Sequence, residues 1–156
     1  MVKKKGQSDF ALDTIYNRLA PLGAQYPINL PPYIRDTMVK RQSLSEAYGG
    51  SPVATYPTIG SDFLAQHGMD DFMYITIEHN PVGPQVPGAP GLLFECDELE
   101  CEQAERARIR RVIIRVQVNP ALWIYVGQFE IHPAASLTKE EWASQTISVS
   151  ITCLPK

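Results

Sequence analysis

The sequence predicts an α+β fold: a curved, mainly antiparallel β-sheet, barrel-like if its edges close, flanked by three or so short helices. Three observations carry that expectation. Residues 109–131 form two apolar, β-branched runs joined by a turn. Thr138 and Glu141 have the spacing of a helix capping box. Most of the thirteen prolines stand in the first ninety residues, which keeps the elements there short.

Within the hairpin, Val112, Ile114, Val116 and Val118 fall on one side of a pleat, with Arg111, Arg115 and Gln117 on the other. This period of two marks a strand, and Asn119-Pro120-Ala121 is the reversal point. In the second run Trp123, Tyr125, Phe129 and Ile131 share one face, with Leu122, Ile124 and Val126 on the other. A strand apolar on both faces is usually covered on both, so this one belongs centrally in the sheet.

Residues 1–8 read as a disordered basic tail and 9–156 as a single domain. Asp9 to Ala20 is amphipathic, with Leu12, Ile15, Tyr16 and Leu19 on one helix face and Pro21 as its stop. A second helix over Asp36 to Tyr48, with Val39 and Leu44 inward, closes at Gly49-Gly50, where a left-handed residue caps the last turn. Val53 to Ile59 is an edge strand interrupted at Pro57. Ser61 caps a helical turn that ends at Gly68, and Phe72 to Ile77 is a strand. Asn80 to Gly91 holds four prolines and three glycines, which makes a rigid loop that must be stitched to something. Leu92 to Cys96 enters another short strand, and Asp97 to Arg106 is a solvated connector. The capped helix follows, its Trp142 packing on the sheet, and Thr146 to Cys153 is a last strand.

The net charge of −3 and a pI near 5.6 count against a general nucleic-acid or membrane binder, because affinity for phosphates rests on Lys and Arg. No apolar run approaches the roughly 18 residues of a membrane span, and Met1 to Gly6 lacks the apolar core of a secretion signal. Cys96, Cys101 and Cys153 are odd in number and suit a reducing compartment. The expectation is a soluble intracellular protein, cytoplasmic or nuclear.

Four segments occur in a telling order: Tyr48-Gly-Gly-Ser-Pro52, Asn80-Pro81 leading to Pro87-Gly-Ala-Pro-Gly-Leu-Leu-Phe94, Trp123-Ile-Tyr-Val-Gly-Gln-Phe129, and Leu137-Thr-Lys-Glu-Glu-Trp142. Over about residues 37–150 this resembles a domain of unknown function common in proteins of mushroom-forming (basidiomycete) fungi. The resemblance implies a fungal intracellular protein and a compact α+β domain. It implies no reaction, and no functional residue carries over from it. The tail departs from the pattern, since Ile147 to Cys153 reads as a strand where the family has longer helical ends.

Chemistry finds little purchase. Cys96 and Cys101, with His79, His132 or Cys153, approach zinc-ligand spacing, but not the tight two-residue gap of a ribbon; plain thiols account for them better. A Cys96 thiolate among Glu95, Asp97 and Glu98 is disfavoured by like charge. No serine elbow is present, and the acids between Glu95 and Glu105 read as one solvated face. Gly88 to Gly91 lacks the lysine of a phosphate loop, and its prolines remove amides. No catalytic residue, metal or cofactor is assigned.

Binding is the better prospect. The leading expectation is a non-catalytic protein-interaction module, meeting an unknown protein partner or a second copy of itself through exposed Val82 and Val86 or the strand around Val53. The alternative is a reader of nucleic acid or a modified base, using Arg111 and Arg115 beside Trp123 and Tyr125, with His79 and Asn80 near the Pro/Gly loop. Against it stands the plainer expectation that the aromatics face the core and the arginines pair with the acidic connector. Strand register decides between them, because a slip of one residue sends each side chain to the opposite face. An enzyme of unknown reaction ranks third.

Overall fold

The computed structural model describes residues 12–23, 28–93, 108–132 and 134–143. The expected basic tail, the strand entry beyond Leu93, the acidic connector, the last strand, all three cysteines and the Trp142 side chain lie outside the described residues. Among those described, the elements are α1 (Leu12–Leu19), a 3-10 turn (Ala20–Leu22), α2 (Pro32–Arg35), α3 (Arg41–Tyr48), α4 (Ser61–His67), β1 (Phe72–Thr76), β2 (Arg108–Val118), β3 (Ala121–Ile131) and α5 (Lys139–Ala143).

The hairpin forms as its alternation requires. β2 and β3 pair antiparallel across a turn at Asn119-Pro120. The sheet is nevertheless mixed, not mainly antiparallel, and among the described residues it is open, three strands in the order β1-β2-β3. β1 pairs parallel to β2, Phe72 opposite Arg111 through Thr76 opposite Arg115. The more than thirty residues between these strands supply the long crossover that parallel neighbours need. β2 is therefore the central strand, and β3, expected there, has an outer edge. That edge is met at Trp123, whose N–H and C=O exchange hydrogen bonds of 2.8 and 2.9 Å with Val39. The bridge also cuts the expected helix over Asp36 to Tyr48 back to α3, which starts only at Arg41, since Val39 must be extended to reach β3.

Register shifts divide the side chains. Val112 lies opposite Gly127 but Ile113 opposite Tyr125, so Val126 is an extra residue on β3. Such a bulge reverses the parity of the strand beyond it. Trp123 therefore packs with Ile59, Phe72, Tyr74 and Ile113 on one face, joined by Tyr125. Phe129 and Ile131, expected beside Trp123, pack on the other face with Met73, Ile75, Val112, Ile114 and Val126. A second shift makes Val116 the extra residue on β2. Past Arg115 no β1 residue pairs with β2, and Val116 and Val118 are exposed rather than inward.

Helices α3 and α4 cover the first face through Leu44, Tyr48 and Phe63. His67 joins them: its Nε2 lies 3.1 Å from Tyr48 O, and its Nδ1 accepts the Met69 N–H at 3.1 Å. Gly68, left-handed at φ 68°, caps α4 as expected, but Gly60 rather than Ser61 is its N-cap residue and no side chain caps the start. Residues 53–59 lie beside the free edge of β1 without forming a ladder; Tyr74 N–H donates to Thr55 O at 2.9 Å, and Pro57 withholds an amide. The Pro/Gly loop is stitched to itself by Leu92 N–H donating to Val82 O at 2.8 Å, and at Gly83 it approaches Ile75 and Leu93 on the second face.

The capping box forms in full. Thr138 N–H donates to Glu141 Oε2 at 2.8 Å, and Glu141 N–H donates to Thr138 Oγ1 at 3.1 Å. Arg18 of α1 reaches the same carboxylate at 2.8 Å, clipping α1 to α5.

Two predictions follow from these contacts. Gly49 has φ 78° and ψ −173°, and Gly23 has φ 77° and ψ −164°. A Cβ at Gly49 would lie 2.7 Å from the Phe63 ring, whereas Gly23 faces open space. Gly23→Ala should cost ~1–3 kcal/mol of backbone strain, and Gly49→Ala a further ~1–3 kcal/mol of overpacking, read from urea midpoints. The hydrogen bond from Arg18, and then that from the Thr138 amide, hold the Glu141 carboxyl below its ordinary range. Its contribution is thus present above the ordinary carboxylate pKa and lost as pH falls through the lowered folded value. Arg18→Gln should flatten the acid limb of a stability–pH curve measured between pH ~5 and ~2.

Candidate functional site: the arginine–aromatic face of the sheet

β2 puts Arg111, Ile113 and Arg115 on one face, and register carries that face across the sheet. Arg115 lies opposite Trp123 on β3 and Thr76 on β1; Arg111 lies opposite Gln128 and Phe72. The two arginines thus flank the aromatic cluster of Phe72, Tyr74, Trp123 and Tyr125. His79 and Asn80 fall at the Arg115 end, where the chain turns after β1: Asn80 N–H donates to Thr76 O at 3.0 Å, and the Thr76 hydroxyl lies 3.1 Å from His79 Nδ1. Arg115, Trp123, His79 and Asn80 therefore gather at one end of the face, Arg111 and Tyr125 at the other.

Both guanidiniums have carboxylates. Arg111 pairs with Asp71 just before β1, and Arg115 pairs with Glu78 just after it at 2.7 Å. Partial burial works against ionisation at Glu78, but the hydrogen bond and charge of Arg115 outweigh it and its pKa is lowered. Burial raises the Tyr125 phenol, with Arg111 opposing and Asp71 adding to the shift. Part-exposed pairs of this kind contribute ~0–1 kcal/mol each, so they fix orientation more than stability.

The centre of the face is built differently. Arg41, the first residue of α3, is buried to 8 % exposure, and its guanidinium carbon lies 2.9 Å from the centroid of the Tyr74 ring. Its Nη2 donates to Ser51 O at 2.7 Å and Ala54 O at 2.9 Å. Desolvation lowers the pKa of Arg41, and Tyr74 opposes that shift; burial raises the Tyr74 phenol, and Arg41 opposes it. The Trp123 indole stands edge-on to Tyr74, ring centroids 5.8 Å apart. Trp123 itself is 7 % exposed and offers no open ring face for stacking.

Sequence reasoning missed Arg41. A cation opening a polar helical stretch reads as solvated, and only the Val39 bridge, which is a long-range pairing, swings it over the sheet. Among the described residues no group of three or more His, Cys, Asp and Glu side chains is placed to hold a metal ion. Trp123→Ala should lower stability by ~3–5 kcal/mol in urea unfolding, because the ring is core; a variant that melts like the parent would contradict this packing.

No curated protein and no solved structure matches the chain. The model of one family does, over residues 38–153, and its description is a domain of unknown function (DUF6697). That span covers most of the 156 residues and holds the whole arginine–aromatic face, so the chain belongs to this family of domains of unknown function.

Proposed function

We propose that the protein is a non-catalytic recognition domain, a protein-interaction module that takes an extended apolar segment of a protein partner, or of a second copy of itself, along the outer side of β3. The observation that carries this reading is the exposure of Tyr33 (75 %) and Met38 (55 %) on the stretch leading to the Val39 bridge. Large apolar groups beside a strand edge suit the addition of a further strand, with main-chain hydrogen bonds for affinity and side-chain contacts for choice. Val118, 66 % exposed at the hairpin tip, extends the apolar surface on the same hairpin.

The alternative, a reader of nucleic acid or a modified base, is favoured by Arg111, Arg115, Trp123 and Tyr125 lying on one face. Burial of Trp123 and the carboxylate partners of both arginines weigh against it. We place the protein in the fungal cytoplasm or nucleus. The sequence resemblance supports that setting, and no described helix is long and apolar enough to cross a membrane.

A random peptide library selected on the immobilised protein tests the reading. Extended, apolar peptides should be enriched, and Tyr33→Ser with Met38→Ser should weaken them by about tenfold or more, ~1.4 kcal/mol, while leaving stability within ~0.5 kcal/mol as exposed positions do. No enrichment, or enrichment indifferent to the double substitution, would overturn it. Salt-sensitive binding of labelled single-stranded oligonucleotides would favour the alternative.

A further inference from the structure

Ser51-Pro52 is the one Ser/Thr-Pro pair in the 156 residues, and the fold carries it on a loop that no ladder holds. Pro52 and Val53 are exposed, Val53 to 91 %. Among the described residues no main-chain hydrogen bond ties residues 51–54 to another segment. The loop is held instead by Arg41, which donates to the Ser51 and Ala54 carbonyls at 2.7 and 2.9 Å. A segment tied by so few bonds opens locally without unfolding the rest. A hydroxyl on such a segment, followed by a residue that withholds its amide and fixes φ, is what a proline-directed serine kinase reads.

The surroundings of Ser51 suit the product of that reaction. Its Oγ accepts the amides of Val53 and Ala54, both at 3.3 Å, and donates to no acceptor among the described residues. Two N–H groups aimed at one oxygen make a small positive concavity, better matched to an anion than to a neutral hydroxyl. The Arg41 guanidinium lies on the carbonyl of the same residue. Among the described residues Arg18, Arg35, Arg111 and Arg115 each pair with a carboxylate. Arg41 is held by two carbonyls and the face of Tyr74, dipoles that leave its net charge in place. A phosphate on Ser51 would bring a charge of about −1.5 to −2 beside that cation from the loop side, without entering the packed space around Tyr74.

We propose that Ser51 is a phosphorylation site, and that its phosphate fastens the loop of residues 51–54 to α3 by compensating the charge of Arg41. In the transfer Ser51 Oγ attacks the γ-phosphorus of a nucleoside triphosphate. The Oγ–P bond forms, the bond from that phosphorus to the β–γ bridging oxygen breaks, the nucleoside diphosphate leaves with the electron pair, and the hydroxyl proton passes to the kinase's base. The loop opens for this step and closes after it. Before modification two neutral carbonyls hold it to Arg41; afterwards an ionic attraction is added. The site is independent of the proposed peptide surface, since Tyr33 and Met38 take no part in it.

The test uses the whole folded chain, incubated with a proline-directed serine kinase and Mg-ATP and mapped by tandem mass spectrometry. The expected result is phosphate on Ser51, lost in Ser51→Ala. The phosphorylated chain should melt about 2–4 °C higher than the unmodified one at low salt, and the gain should shrink as salt is added. In Arg41→Gln the gain should vanish. Should Arg41→Gln not fold, the 31P resonance of the phosphorylated parent chain is titrated instead. The second ionisation of the phosphate should then fall below its ordinary value of about 6 in the folded chain and return to it in urea. No phosphate on Ser51, a phosphorylated chain that melts no higher, a gain that persists in Arg41→Gln, or an ionisation unmoved by folding would each overturn the proposal and leave the peptide reading untouched.

Discussion

Val126 has no residue opposite it on β2, and the two faces of the molecule are arranged around that one unmatched position. The neighbouring pairs, Val112 with Gly127 and Ile113 with Tyr125, fix the slip. Gly127 takes it up at φ 124°, with Ile28 so close that a Cβ would lie 3.1 Å from its Cδ1. Without the bulge Phe129 and Ile131 would fall beside Trp123, and the second face would lose two of the groups packed against Val126. With it, each face receives part of β3's apolar content. A strand apolar on both sides thus serves two cores while standing at the edge of the sheet.

What could be read from the sequence is what depends on neighbours in the chain. Alternation over residues 109–131 set the hairpin, the Thr138–Glu141 spacing set the start of α5, and Gly68 and Gly49 set two helix ends. Phe72 to Thr76 declared itself as a strand in the same way. Each of these signals concerns residues within a turn or two of each other. The features that were not legible are pairings between distant segments. Nothing near Phe72 says that it will lie parallel to Arg111, and nothing near Val39 says that it will exchange hydrogen bonds with Trp123 rather than continue a helix. The bulge escaped for a related reason: the glycine at 127 was visible, but whether it bends a strand or merely lacks a side chain depends on the partner strand's register.

The candidate site shows the same division. Alternation along each strand joined Arg111 to Arg115 and Trp123 to Tyr125 in the sequence, whereas the register that brings the two pairs onto one face was not legible there. Nor were the carboxylates that the arginines find. The acidic run between Glu95 and Glu105 suggested itself by composition, yet Asp71 and Glu78 hold the two guanidiniums. They do so because parallel pairing sets the two ends of β1 beside Arg111 and Arg115, so that one acid just outside each end of the strand meets one base. Geometry outranked abundance.

The contrast between those paired arginines and Arg41 bears on what the face is for. A guanidinium with a carboxylate at the rim of a sheet is common surface chemistry and costs little to keep. A guanidinium taken out of water needs its charge compensated, and dipoles alone do this poorly. A leucine or methionine in place of Arg41 could cover Tyr74 without that cost, and replacing buried charge with apolar volume is often stabilising. Stability alone therefore gives no reason for a cation there. The hydrogen bonds to Ser51 O and Ala54 O anchor a loop, but two neutral acceptors do not require a permanent charge to satisfy them. What Arg41 supplies is placement: one long side chain reaches from the start of α3 across the Tyr74 ring to the carbonyls of Ser51 and Ala54, so that a helix, a strand and a loop are held in one arrangement.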